Sequence, residues 1–95
     1  MAAYIIGEIE ITDPALYETY RPLAAASVAR HGGRFIVRGG AATRLEGEGD
    51  PKRVVVMEFP SLEAARAFYE SDDYREAQKI RLASSRGRLL LVEGL

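Results

Sequence analysis

Four stretches of the chain alternate apolar and polar residues with a period of two, and helical spacing fills the segments between. Ala3 to Ile11 reads AYIIGEIEI, with Ile5, Ile9 and Ile11 set against Ile6, Glu8 and Glu10, which predicts a strand. Thr12-Asp13-Pro14 then predicts a helix start. Asp13 suits the N-cap, and Pro14 suits the first helical position because its missing N–H has no partner to lose there. Leu16, Tyr20, Leu23 and Ser27 fall on one stripe, with Tyr17, Ala24 and Val28 beside it. Pro22 is expected to kink this helix near Glu18 to Tyr20, and Gly32-Gly33 to end it.

Arg34 to Arg44 predicts a second strand, with Phe35 and Val37 facing away from Arg34, Ile36 and Arg38. Gly39-Gly40 suggests a bulge or bend in it. Leu45 to Pro51 reads as a polar loop, and Lys52 to Phe59 as a third strand paired with the second. Ser61 caps the next helix, whose apolar stripe is Ala64, Ala65, Phe68 and Tyr69. Ser71-Asp72-Asp73 restarts a shorter one through Tyr74, Ala77 and Ile80. Gly87 is expected to close that region before a last strand, Arg88 to Glu93.

The order β-α-β-β-α-β, with right-handed crossovers, predicts an α+β domain of ferredoxin-like type spanning residues 1–95. Its four-stranded antiparallel sheet carries both helical regions on one face, in strand order 4-1-3-2. Alternation assigns Ile5, Gly7, Ile9, Ile11, Phe35, Val37, Val55, Met57, Phe59, Leu90 and Val92 to the helix-covered face. The other face receives Tyr4, Ile6, Glu8, Arg34, Ile36, Arg38, Val54, Val56, Glu58, Leu89, Leu91 and Glu93. That second face is too apolar to stand in water, which predicts a partner surface or binding groove.

Composition narrows the function. The 95 residues carry 13 Lys and Arg against 14 Asp and Glu, a net charge of −1, with none of the basic surplus that nucleic-acid binding needs. With no Cys there is no thiolate nucleophile and no Cys metal site, and one His, His31, makes no multi-histidine site within one chain, so no metal and no cofactor are expected. The first twenty residues lack the basic start of a signal peptide, and no apolar run reaches membrane-spanning length; a cytoplasmic protein off the membrane is the expectation.

The strings HGGRFIVRGG (His31 to Gly40), RVVVMEFPSLEAARAFYESDDY (Arg53 to Tyr74) and LLLVEGL (Leu89 to Leu95) resemble the domain-of-unknown-function family thirteen-thirty, of the dimeric α/β-barrel superfamily. The similarity runs along nearly the whole chain. The resemblance implies a homodimer made by packing sheet faces together, forming a dimeric α/β barrel, and no established reaction. Within the wider superfamily it reaches cofactor-independent monooxygenases, haem-degrading enzymes and stress-responsive barrels at the level of fold alone.

Other uses of the same fold lack their residues. A metal chaperone needs two Cys, an acylphosphatase needs an Asn, and a haem degrader of the Asn/Trp type needs both; the chain has no Cys, Asn or Trp. An RNA-recognition sheet needs stacking aromatics on its third strand, where Lys52 to Phe59 offers only the core-facing Phe59.

What remains is a small-molecule pocket between the second sheet face and the entry of the first helix. Glu8, Arg38 and Glu58 are its expected polar lining, Tyr4, Tyr17 and Tyr20 its aromatic wall, and His31 lies near its rim. Arg38 is expected opposite or diagonal to Glu58 across the hairpin. Two function classes follow. The first is a homodimeric protein binding a small organic ligand between sheet faces. The second is a cofactor-independent enzyme, monooxygenase- or isomerase-like, whose catalytic base is Glu8, Glu58 or His31. Ion pairing of the carboxylates with Arg34 and Arg38, and a helix-capping role for His31, are the plainer readings of the same residues. Arg81, Arg86 and Arg88 read as a solvated helix end.

Overall fold

In the computed structural model, which describes residues 1–95, each helix starts at the residue whose side chain can cap it. The elements are β1 (Ala3–Ile11), α1 (Pro14–Arg30), β2 (Arg34–Arg38), β3 (Arg53–Phe59), α2 (Leu62–Glu70), α3 (Asp72–Ser84) and β4 (Ser85–Glu93). Asp13 Oδ1 accepts from Leu16 N at 3.1 Å, and Ser61 Oγ accepts from Ala64 N at 3.1 Å. Ser71 serves two helices: its hydroxyl donates to Phe68 O at the end of α2 and accepts from Tyr74 N at the start of α3. These bonds satisfy amide and carbonyl groups that helix ends leave open.

α1 runs unbroken through Pro22. It ends in a Schellman arrangement, with Gly33 N donating to Val28 O and Gly32 N to Ala29 O. Gly32 takes a φ of 76°, which a side chain would strain.

The sheet is antiparallel in the order β2-β3-β1-β4, the predicted order read from the other edge. The helices cover one face. Ile5, Ile9, Met57 and Phe59 from the sheet pack there against Tyr17, Tyr20, Ala24 and Val28 of α1 and Phe68, Tyr74 and Ala77 of α2 and α3. The hydrophobic term from this interdigitation is what holds the helices on the sheet. No helix is long and apolar enough to cross a membrane.

Two strands depart from the predicted parity. In β4, Leu89 pairs with Gly7 and Leu91 with Ile5, so both face the helices, and Leu90 and Val92 stand on the open face, 61% and 40% exposed. β4 also begins at Ser85, so Gly87 lies inside the strand rather than ending a helix; a Cβ there would run into the Glu8 carbonyl of β1. Gly7 serves the same junction, since a Cβ on it would fall 2.7 Å from Leu89 Cδ2.

In β2 the bulge sits at Ile36 and Val37 instead of at the glycines. Arg34 pairs with Glu58 and Phe35 with Met57, after which Val37 pairs with Val56 and Arg38 with Val55. The extra residue reverses the parity of everything after it. Val37 therefore stands on the open face, and Arg38 turns to the helix side. β2 ends at Arg38, and residues 39–52 form an irregular connection.

The open face keeps its apolar character with this altered roster. Ile6, Ile36, Val37, Leu90 and Val92 are all at least 36% exposed, alongside Tyr4, Val54 and Val56.

Candidate functional site

The sheet separates the residues that the sequence groups into one pocket. Tyr4, Glu8 and Glu58 lie on the open face. Tyr17, Tyr20 and Arg38 lie on the helix side. Tyr17 and Tyr20 are buried in the helix–sheet core, so they form no wall for a site on the open face.

On the open face, Glu58 is paired with Arg34, not Arg38. Arg34 Nε donates to Glu58 Oε1 at 2.9 Å, and the Tyr4 hydroxyl reaches Glu58 Oε2 at 3.4 Å. The register explains it, because Arg34 and Tyr4 are the cross-strand partners of Glu58 on its two sides. Glu8 faces Val54 and Arg88 across its own two neighbours.

His31 stands at the C-terminus of α1. Its Nδ1 lies 2.9 Å from the Ser27 carbonyl, and its ring sits edge-on to Phe68 at 6.1 Å. A carbonyl only accepts, so Nδ1 carries the proton and the ring closes the last helical turn. No group of three or more His, Asp or Glu side chains is arranged to hold a metal ion.

An open pocket on the open face is lined by Ile6, Glu8, Arg88, Leu89 and Leu90, and a more enclosed one lies on the helix side, between α1, α3 and the sheet. The helix-side cavity is about 30 Å³. Ile9, Val55, Met57 and Leu89 form its floor, and Tyr17, Tyr20, Ala24 and Phe35 its walls. Four arginines complete the lining: Arg21 from α1, Arg38 from β2, Arg53 from β3 and Arg81 from α3. No carboxylate lines it.

Each arginine arrives there by its element's own periodicity. Arg21 follows Tyr17 and Tyr20 on the buried side of α1. Arg53 shares parity with Val55 and Met57 and pairs with Ile9, and Arg38 is turned inward by the bulge. Arg81 lies on the Tyr74, Ala77, Ser84 stripe of α3 and is only 6% exposed, which corrects its reading as part of a solvated end. That stripe was the signal for Arg81, and alternation with Val55 and Met57 was the signal for Arg53.

The polar atoms inside form a chain. Arg81 Nε donates to the Tyr74 hydroxyl at 3.3 Å, and the Tyr74 and Tyr20 hydroxyls lie 2.9 Å apart. Burial, reinforced by Tyr74, pushes the Tyr20 phenol well above its ordinary range, so it is neutral. Burial works to lower the Arg81 pKa, the Tyr74 and Tyr20 hydroxyls outweigh it, and the net shift is upward, so Arg81 keeps its charge.

At the rim, Arg38 stacks over the Phe35 ring at 5.1 Å and Arg21 over the Tyr17 ring at 5.6 Å. The Nε atoms of Arg21 and Arg53 are buried and make no hydrogen bond. Glu18 Oε1 does lie 3.2 Å from Arg21 Nε, an ion pair in charge and distance without hydrogen-bond geometry. Arg38, Arg53 and Arg81 belong to none of the chain's ion pairs. A cavity of this size is about a tenth of an ordinary small-molecule site, so it admits the end of a ligand and not the whole of one.

The fold recurs in solved structures. A protein of unknown function from Rhodopseudomonas palustris superimposes with a TM-score of 0.81 at 21% identity, covering 99% of this chain and 82% of that one. SnoaB, a cofactor-independent oxygenase from Streptomyces nogalater, superimposes with a TM-score of 0.71 at 18% identity, covering 99% and 93%. A dimeric ferredoxin-like protein of unknown function from Jannaschia sp. CCS1 gives 0.76 at 14% identity, covering 99% and 100%. Identities this low establish a shared fold and nothing finer. No curated protein matches the sequence. The family model described as "Domain of unknown function (DUF1330)" matches residues 2–95, and the chain belongs to that family.

Proposed function

We propose that this protein is a homodimer, joined through its open sheet faces, in which each protomer binds a small organic molecule in the pocket between α1 and the sheet. The observation that carries the binding half is that pocket itself, with apolar floor and walls and with Arg38, Arg53 and Arg81 in its lining, none of which meets a protein carboxylate. It lies on the helix side, inside each protomer, and is distinct from the site expected between sheet faces. The homodimer rests on the exposed Ile6, Ile36, Val37, Leu90 and Val92, and on the dimeric state of a neighbour with the same fold. Burying such a face against a second copy is the simplest way to remove it from water.

The test has two parts on the intact protein. Light scattering at micromolar concentration is expected to give twice the chain mass. A melting-temperature screen of small aromatic and aliphatic compounds is expected to find saturable stabilisers that lose their effect when Tyr17→Trp fills the pocket. A monomer removes the first half of the proposal. Stabilisers indifferent to Tyr17→Trp remove the second.

A second reading has the pocket turn its ligand over without a cofactor, and the observation favouring it is the shared fold of SnoaB. The bases expected from the sequence, Glu8, Glu58 and His31, all lie outside the pocket lining. Oxygen uptake by the protein with a bound, oxidisable ligand separates the readings: uptake favours the enzyme, and recovery of unchanged ligand favours the binding protein.

A further inference from the structure

We propose that the ligand of this pocket is a small organic carboxylate, its head held by Arg53 and Arg81 and its apolar body laid outward between the Tyr17 and Phe35 rings. The inference rests on the reading of the helix-side pocket as a ligand site and names the chemistry of what enters it.

Charge is the first argument. Four guanidinium groups from four different elements line one small cavity, and no carboxylate lines it with them. Arg81 is 6% exposed and meets only the Tyr74 hydroxyl, and Arg53 Nε is buried with no partner. A charged donor withdrawn from water is normally paired with an opposite charge. Arg53 and Arg81 depart from that rule in one place, and an incoming anion would complete them.

Size and shape select the head group. A cavity of about 30 Å³ admits one carboxylate or a pair of waters, not a whole drug-sized ligand. The planar fork of arginine matches a planar carboxylate with two parallel bonds. The walls select the rest. Phe35 and Tyr17 line the cavity, and each already carries a guanidinium over its ring. An apolar or aromatic body fits walls of that kind better than a second polar group does.

The probes are acetate, benzoate and 3-phenylpropanoate, their neutral amides, and inorganic phosphate, followed by calorimetry and melting temperature on the intact protein. Benzoate or 3-phenylpropanoate is expected to bind saturably at least about tenfold more tightly than its amide, and than acetate. Arg53→Gln is expected to weaken that binding about tenfold, the value of one lost charge-assisted hydrogen bond. Arg34→Gln, on the opposite sheet face, is expected to leave it unchanged. Because Arg81→Gln alters a buried residue, Arg38→Gln at the rim serves as the second variant, with a smaller loss expected. Amides that bind as well as the acids overturn the anion inference and leave the pocket reading standing. Phosphate or acetate binding as well as the aromatic acids overturns the organic class. Binding of neither acids nor amides overturns both the inference and the reading beneath it, as does equal weakening by Arg34→Gln and Arg53→Gln for the assigned residues.

Discussion

The guanidinium of Arg53 lies over the Cα of Gly39, in the space that any side chain at position 39 would fill. Gly39 has a φ of 76°, and its N–H donates to the Val54 carbonyl at 2.9 Å as the chain leaves β2. A glycine at the end of one strand thus makes room for an arginine at the start of the next. The turn chemistry and the charge lining the pocket are one arrangement.

That relationship predicts an asymmetry between adjacent glycines. Gly39→Ala forces a left-handed backbone on an L-residue, at about 1–2 kcal/mol, and pushes the Arg53 guanidinium aside. Gly40→Ala meets nothing within 4 Å and needs no positive φ. Urea unfolding is expected to show Gly39→Ala destabilised by at least about 1 kcal/mol and Gly40→Ala within about 0.5 kcal/mol of the parent. Equal effects would mean that Arg53 is not seated on Gly39.

Ile36 is 45% exposed in the protomer and belongs to the apolar open face. Ile36→Glu therefore leaves the helix–sheet core intact and places a charge where a second copy would pack. The expected outcome is a folded monomer, read as a halved mass in light scattering with an unchanged far-ultraviolet spectrum. A variant that remains dimeric places the contact elsewhere on the surface.

Arg34 and Arg38 are four residues apart in one short strand and should differ in what their removal does. Arg34→Ala takes the ion pair from Glu58, whose side chain is only 26% exposed, and leaves it the long Tyr4 bond. Arg38→Ala touches no carboxylate and removes only a guanidinium stacked on Phe35. In the isolated protomer the Arg34 pair is worth less than about 1 kcal/mol, because Arg34 itself is largely in water. In a dimer that buries the face, removing Arg34 costs more, because it leaves the Glu58 charge buried without its partner. The Arg34 variant is accordingly expected to raise the dimer dissociation constant, and the Arg38 variant to leave it alone. Sedimentation across a dilution series measures both.

The order of elements and the capping residues were legible because they depend on neighbours in sequence. Asp13, Ser61 and Ser71 start helices where they were expected to. Sheet parity was legible only where polar residues interrupt the apolar ones. Leu89 to Val92 is an unbroken apolar run, so alternation carries no phase, and the phase of β4 is set by Gly7 and Gly87 receiving it. The bulge at Ile36 and Val37 leaves no local mark either. One extra residue in β2 moved Arg38 from the Glu58 side to the helix side, and with it the candidate site. Arg81 was legible in principle, seven residues after Tyr74 on the same stripe. Charge argues for water at that position more strongly than spacing argues for burial, and the fold follows the spacing.

Tyr20 sets how the protein responds to alkali. Its phenol is buried, hydrogen-bonded to Tyr74, and held neutral well above the pH at which a free tyrosine ionises. The folded state therefore keeps a proton that the unfolded state releases above about pH 10. Stability from this group is whole below that pH and falls as pH rises past it, by about 1.4 kcal/mol at pH 11 for one fully shifted tyrosine. Tyr20→Phe removes the titrating group. At pH 8 the variant is expected to be less stable by about 1 kcal/mol, the net worth of the lost hydrogen bond, because Tyr74 keeps its bond from Arg81. Above pH 10 the parent loses stability faster than the variant, so the two unfolding curves converge and meet near pH 11. Urea midpoints taken from pH 8 to pH 11 measure the gap directly. Parallel curves across that range would show that the Tyr20 hydroxyl reaches solvent in the folded protein, and that the chain of hydroxyls beneath the arginines is open to water.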